Sequence, residues 1–194
     1  MLAPAYPIET ERLLLRPLDP ATDVDAVHAY QSLPEVCRYV PFEPRTRAEI
    51  AERLADTERV RWALFGPGQA LDLAIVLRGT GELIGDVLLF WRDDTNAEIG
   101  YAVHPAHHGR GYATEAARAM LALAFDPAHG LQLHRVTARI DQRNSASAAV
   151  LTKLGMRQEA VLVENEWLKG EWSTEVDFAI LDREWREQAA RATE

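Results

Sequence analysis

The stretch Val103-His104-Pro105-Ala106-His107-His108-Gly109-Arg110-Gly111-Tyr112-Ala113-Thr114-Glu115-Ala116 decides how the rest of the chain is read. Pro105 stops whatever precedes it, because its ring fixes φ and removes a backbone donor. Two glycines one residue apart then let the backbone curl. From Ala113 to Phe125 the apolar residues Ala117, Met120, Leu121 and Ala124 recur at i, i+3, i+4 and i+7, the period of a helix buried on one face. Such a loop turns backbone N–H groups toward one point at the positive end of the helix dipole, which suits a phosphate. The same glycines also read as a plain strand-to-helix turn. The dinucleotide fingerprint is excluded, since Thr114 stands where its third glycine belongs and Leu131 to Leu133 offer no acid for a ribose. No Gly-x-x-x-x-Gly-Lys-Ser/Thr run occurs either.

Upstream of the loop, Leu71 to Leu77, Leu83 to Trp91 and Ala97 to Val103 are apolar or alternating runs joined by short polar turns, an antiparallel meander. Thr10 to Leu18 reads as a first strand, Asp19 to Leu33 as a helix, and Pro34 to Pro44, with three prolines, as irregular. Thr46 to Arg61 carries Ile50, Leu54 and Val60 on a charged background and reads as an amphipathic helix. Downstream, Arg135 to Ile140 is a strand, Asn144 to Leu154 a short helix closed by Gly155, and Met156 to Val163 and Thr174 to Leu181 are the last two strands. A meander running into βαβ crossovers predicts an α/β chain of mixed, α+β type: a twisted sheet of about seven strands flanked by helices, not a doubly wound parallel sheet.

Length allows one domain, residues 1–194, with a sizeable core. The net charge is −9, from 21 cations, nineteen of them Arg, against 30 acids, which argues against sequence-independent nucleic-acid binding and for an amine-bearing partner. One cysteine, Cys37, excludes a disulfide framework and is what a reducing compartment allows. With no signal-like start and no apolar run of about 18 residues, the expectation is a cytoplasmic protein that does not engage a membrane.

The loop also resembles the pyrophosphate-binding motif of the GNAT superfamily of acyl-CoA-dependent N-acyltransferases, Gln/Arg-x-x-Gly-x-Gly/Ala, here occupied by His108, Gly111 and Ala113. His108 departs from the usual Gln or Arg. Ala97 to Val103 before the loop, and Asn144-Ser145-Ala146-Ser147 through Leu154-Gly155-Met156 after it, are spaced as in the Rim-type branch, the ribosomal-protein N-terminal acetyltransferases. Thr10 to Arg16 and Leu181 to Trp185 look like that branch's opening and closing strands. The resemblance covers roughly residues 9 to 186 and implies the GNAT fold.

It further implies acetyl-CoA as co-substrate, lying between the strands that end near Val103 and begin near Arg135, its pyrophosphate on the amides of Gly109, Arg110, Gly111, Tyr112, Ala113 and Thr114. Thr114 reads equally as a hydroxyl contact or a first-turn cap, and Arg110 as a phosphate contact or a solvent-facing side chain. Glu98 is the candidate base for the attacking amine, on the same strand face as Gly100 and Ala102, and reads equally as an edge charge in an ion pair. A backbone N–H near Val103 would meet the oxyanion. The family's tyrosine, four residues before the closing glycine, is replaced by Leu151, so Ser147 is the candidate general acid, against an ordinary helix serine. Asn144 resembles the asparagine that bonds the pantetheine arm and also suits a helix N-cap.

His104, His107 and His108 lack a nearby Asp or Cys, so no metal is expected. Cys37 reads as a half-buried thiol rather than an acyl carrier, and the five tryptophans read as core anchors. His134 and Tyr39 are candidates for the acceptor pocket or for plain packing. Trp167 and Trp172 bracket the Leu168-Lys169-Gly170-Glu171 turn and with Glu164 and Glu166 make an acidic aromatic loop; in related enzymes such a loop and the Pro34 to Arg47 segment flank the acceptor site, and a solvated face explains it too. The acceptor is either a protein N-terminus or a small molecule such as an amino acid, polyamine or antibiotic. A CoA-binding regulatory module without turnover is the rival reading, and a homodimer follows only from family habit.

Overall fold

The computed structural model describes residues 1–56 and 62–191. Eight strands form one sheet: Ile8–Glu9 (β1), Leu13–Pro17 (β2), Ala70–Leu77 (β3), Leu83–Trp91 (β4), Asn96–Val103 (β5), Arg135–Asp141 (β6), Arg157–Leu168 (β7) and Glu171–Leu181 (β8). Their order is β1-β2-β3-β4-β5-β6-β8-β7, antiparallel throughout except for β5 and β6, which run parallel. The mixed sheet matches the sequence reading, with the two-residue β1 added to the seven expected strands.

The helices are Val24–Gln31 (α1), Pro34–Cys37 (α2), Arg47–Ala55 (α3), Tyr112–Phe125 (α4), Ser145–Lys153 (α5) and Asp182–Arg191 (α6). The helix expected over Asp19 to Leu33 starts later, because the Asp23 carboxylate takes the Asp19 N–H and the Arg16 guanidinium and holds the segment before it as a turn. Within the segment read as irregular, Pro34 opens α2 at the one helical position where its missing N–H costs nothing. Thr46 and Glu49 close a reciprocal capping box on α3, which ends at Ala55. The rest of that predicted helix, including Val60, lies outside the described residues.

Three further corrections follow. β7 and β8 extend to a two-residue turn at Lys169-Gly170, both at positive φ (52° and 85°), the geometry that matches strand twist in a hairpin. Leu181 to Trp185 is not a closing strand: β8 stops at Leu181, whose N–H donates to the Glu184 carboxylate at 2.8 Å, and α6 begins. Three tryptophans read as core anchors are exposed, Trp62 and Trp167 at 59% and Trp172 at 56%. Among the described residues no helix is long and apolar enough to cross a membrane.

The sheet buries both faces of its first half. On one, α4 sets Ala116, Ala117, Met120, Leu121, Ala124 and Phe125 against Leu13, Leu15, Leu73, Ile75, Val87 and Ile99. On the other, α1 and α3 set Val24, Val27, Tyr30, Ile50 and Leu54 against Ala74 and Val76, with Ala102 of β5 packed alongside. Alternation along β5 therefore turns Ile99, Tyr101 and Val103 toward α4, and Gly100 and Ala102 toward α1 and α3.

β4 and β5 pair along seven residues, from Trp91↔Ala97 to Gly85↔Val103, and β6 and β8 pair along another seven. Between these two ladders β5 and β6 pair at only three positions, Asn96↔Arg135, Ala97↔Val136 and Glu98↔Thr137, and then part. A Cβ added at Gly85 would sit 2.2 Å from the Ala102 carbonyl oxygen, so glycine lets β4 close on the last turn of β5. Replacing Gly85 by Ala should destabilise the protein by roughly 1–3 kcal/mol, several degrees of Tm, in a thermal melt. An unchanged melt would mean that the two strands can separate without loss.

Candidate active site

The loop after β5 begins with one 3-10 turn, Pro105–His107, for which the His104 ring nitrogen Nδ1 accepts the Ala106 N–H. Gly109 and Gly111 follow at φ 73° and 82°, and Gly111 is the N-cap residue of α4. A glycine cap has no side chain to accept from the helix, and the first turn of any helix leaves its amides without intrahelical partners. Among the described residues, none of the six N–H groups from Gly109 to Thr114 finds a backbone or side-chain acceptor. The two left-handed glycines and the unpaired amides give the loop the form of a backbone nest.

The loop is held from behind. Glu115, in the first turn of α4, takes the Thr10 hydroxyl at 2.6 Å, the Arg12 N–H at 2.7 Å and the Arg12 guanidinium at 2.7 Å. Burial alone would raise this carboxyl, but the Thr10 and Arg12 hydrogen bonds hold it below its ordinary value, and its charge is spent away from the nest. Arg12 also donates to the Arg110 carbonyl at 2.9 Å and stacks over the Tyr112 ring. His108 Nε2 donates to the Val103 carbonyl at 2.7 Å, so the residue that departs from the usual Gln or Arg tethers the loop to the strand end. His107 pairs with Glu82 at 3.1 Å. Among the described residues no group of three or more His, Cys, Asp or Glu is arranged to hold a metal.

The parting of β5 from β6 opens a cavity of about 360 Å³, within the range of small-ligand sites. His104 donates its N–H to Ile84, so alternate residues of β5 point their backbone groups at β4, while those of Ile99, Tyr101 and Val103 face the opened side. Tyr101, Ala102 and Val103 form one wall, and the loop and first turn of α4 another, with Gly109, Gly111, Tyr112, Ala113 and Thr114. Asn144, Ser147 and Val150 of the α5 region face them. Glu35, Val36, Tyr39, Val40 and Phe42 close the far side. Because Tyr101 belongs to one sheet face and Ala102 to the other, the cavity crosses the sheet.

Asn144 caps α5, its side-chain oxygen accepting the Ser147 N–H at 3.1 Å. The Ser147 hydroxyl lies 2.8 Å from the Tyr101 hydroxyl, which is also 3.2 Å from the Ser147 carbonyl. Burial pushes the Tyr101 phenol up to about 12. Tyr101 escaped the sequence reading although the signal was present: strand alternation puts it on the face opposite Glu98, and only the Glu98 face was followed. The far wall of Val36, Tyr39, Val40 and Phe42 comes from the Pro34 to Arg47 segment, which the resemblance to related enzymes sets beside the acceptor.

Other candidates lie away from the cavity. Glu98 is about four residues, roughly 13 Å of strand, from Ala102, outside the cavity wall, with its carboxylate paired to Arg92 and Arg139. Between them Gly100 leaves bare backbone, where an added Cβ would meet only Leu88 at 3.9 Å. Arg110 is exposed and touches the loop through its backbone. His134 is exposed beside Asp182, not in the cavity, whereas Tyr39 lines it. Cys37 is fully buried, not half-buried, its thiol pushed up by burial and donating to the Gln31 carbonyl at 3.2 Å.

Two polar ties hold the far wall. Tyr30 and Gln31 both donate to buried Asp86, and Arg45 donates to the Gln31 side-chain oxygen at 2.6 Å while packing over Phe42. At the β7–β8 turn Lys169 reaches back, its ammonium donating to the Cys37 carbonyl at 2.6 Å and the Phe42 carbonyl at 2.9 Å.

Residues 12–157 match the acetyltransferase (GNAT) domain family. The chain belongs to that family. GNAT enzymes are N-acetyltransferases that draw on acetyl-CoA and act on amines, and this GNAT chain has similar relatives under that description. An uncharacterized N-acetyltransferase of Bacillus licheniformis, p20, is 33% identical over 91% of this chain and 96% of its own length. The crystal structure of a GNAT-family acetyltransferase from Bacillus anthracis superimposes with a TM-score of 0.79 at 29% identity, covering 91% of this chain and 98% of that one. RimL, a ribosomal α-N-protein acetyltransferase in complex with coenzyme A, shares the fold at a TM-score of 0.74 and 17% identity, covering 91% and 98%.

The start of α5 is anchored by Asp141, which accepts from the Arg143 guanidinium at 2.6 and 2.9 Å, from the Arg143 N–H at 2.8 Å and from the Ser173 hydroxyl at 2.7 Å. These bonds, chiefly that to the Arg143 side chain, lower the carboxyl to about 2 against the opposing effect of burial. A depressed acid contributes stability above its unfolded pKa and loses it as pH falls through the folded one. Denaturant melts should therefore show stability falling between about pH 4 and pH 2, and Asp141→Asn should remove that part of the acid dependence. An identical acid limb in the variant would assign the loss to other carboxylates.

Proposed function

We propose that this GNAT enzyme is an acetyl-CoA-dependent N-acetyltransferase of the Rim type, whose acceptor is a protein N-terminal α-amine attacked directly with both substrates bound. The carrying observation is the row of six unpaired amides, Gly109 to Thr114, opening onto a cavity that crosses the sheet. Such a row suits a pyrophosphate, and open space beyond the Gly109 Cβ position leaves room for one. A passage through the sheet lets donor and acceptor approach from opposite faces.

Acetyl-CoA supplies a thioester carbonyl and a thiol leaving group. The amides of Gly109 to Thr114 take up the diphosphate charge, with the Thr114 hydroxyl beside them. Asn144 spends its side-chain oxygen on the helix cap and keeps its NH₂ to donate to the pantetheine arm. The Val103 N–H lies on the unpaired edge of β5 and meets the carbonyl oxygen as charge develops there. An α-amine has a pKa near 8, so a proton must leave before its lone pair attacks. Glu98 can take that proton only through water, across the bare backbone of Gly100. As the C–S bond breaks, the sulfur leaves as thiolate and the Ser147 hydroxyl donates a hydrogen bond to it. The negative net charge and Glu35 in the wall support a cationic acceptor, and the likeness to RimL supports an N-terminal one.

Calorimetry should give saturable micromolar binding of acetyl-CoA and none of NAD or ATP, and Ala113→Glu should abolish it by steric and charge conflict; normal affinity in that variant would sink the phosphate-loop assignment. In a thiol-release assay a peptide with a free N-terminus should turn over and its Nα-blocked twin should not. Turnover of spermidine alone would replace the acceptor class. Ser147→Ala should lower kcat roughly 10²-fold, and Glu98→Gln should lower it at neutral pH with acetyl-CoA affinity intact. Undiminished turnover in Glu98→Gln would remove Glu98 as the base.

A further inference from the structure

We infer that Tyr101 is a positioning residue that sets the direction of the Ser147 hydroxyl, donating to its oxygen so that the serine hydrogen is left for the sulfur of coenzyme A. The inference rests on the reading of Ser147 as donor to the leaving thiolate. A serine hydroxyl is a rotor with one hydrogen and two lone pairs, and on a helix its hydrogen can turn to either side. Something must fix it if it is to meet a leaving group without first reorganising.

The Tyr101 hydroxyl, across the opened gap from α5, is 2.8 Å from the Ser147 oxygen and 3.2 Å from the Ser147 carbonyl. The carbonyl already accepts in the ladder of α5 and lies at the longer distance, so the single phenol hydrogen is assigned to the 2.8 Å contact with the serine oxygen. Half-buried in the wall, the phenol stays protonated throughout the working range and has one hydrogen to give. Once it is given to Ser147, the serine oxygen is engaged as acceptor, and among the described residues the hydroxyl has no other partner than Tyr101. Its hydrogen is then free for the cavity that both residues line. The pair acts as a directed chain, phenol to serine to sulfur, in which no proton need leave the tyrosine: a thiolate, with a pKa near 8.5, is too weak a base to take it. The rate gain comes from a hydrogen bond that strengthens as charge grows on sulfur.

The test needs no acceptor. A hydrogen bond to the thiolate lowers the pKa of the bound CoA thiol, so affinity for CoA, divided by affinity for desulfo-CoA, which lacks the sulfur, must rise with pH through the thiol titration. Calorimetry between about pH 7 and pH 9.5 should show this ratio rising about tenfold in the wild type, the equivalent of one pH unit, and staying flat in both Ser147→Ala and Tyr101→Phe. Desulfo-CoA affinity close to wild type in each variant reports an intact site. A ratio that still rises in Tyr101→Phe while flat in Ser147→Ala overturns the role of Tyr101 and leaves Ser147 standing. A ratio flat in Tyr101→Phe but rising in Ser147→Ala means that the phenol meets sulfur itself, which also overturns the positioning role. A flat ratio in the wild type removes Ser147 as donor, and the inference falls with it.

Discussion

β5 and β6 share only three backbone pairings, and nearly everything about the site depends on how soon they part. Each is bound more tightly to its other neighbour, β5 to β4 and β6 to β8, so the sheet behaves as two ladders hinged along a short seam. Strand twist carries the ladders apart beyond it. Unpaired backbone groups inside a protein are costly, and at the end of the opened edge a side chain meets one of them. The Val103 carbonyl is taken by His108, the gap is bridged by Tyr101 and Ser147, and the remaining donors lie where a ligand can use them.

The two sides of the opening differ in their chemistry. Toward α4 the surface is mostly peptide: amides around two left-handed glycines, braced from outside by Arg12 and Glu115. Toward α2 it is side chains, Val36, Tyr39, Val40 and Phe42, stiffened by the Asp86-centred bonds under α1. On the proposed reading this division has a reason: a diphosphate needs donors and little else, so backbone can serve it, whereas telling one amine from others takes shaped side chains.

Much of this was legible in the chain. Alternation and helical period gave the meander, the loop and the helix after it, and these fix where the opening lies. Element ends were less legible because they are set by distant partners: Asp23 shortens α1 through Arg16, and Glu184 turns Leu181 to Trp185 from strand into helix. Asn144 and Ser147 do come to the cavity wall, since a helix start fixes both at once. Glu98 does not, because it stands four residues before Ala102 on β5, where its carboxylate pairs with Arg92 and Arg139. Trp167 and Trp172 bracket the turn where the sequence puts them, at the hairpin tip, and pack edge to face with ring centroids 5.2 Å apart.

Lys169 sits in a left-handed turn position that a lysine rarely takes, and its ammonium is held by two carbonyls of the α2 segment. One flexible side chain thereby couples a long hairpin to a short helix, and neither can yield without the other. The width of the mouth becomes a mechanical property shared by both, set by compliance as much as by outline. A chain with the same wall residues but a slack hairpin would present the same contour and accept a broader set of guests.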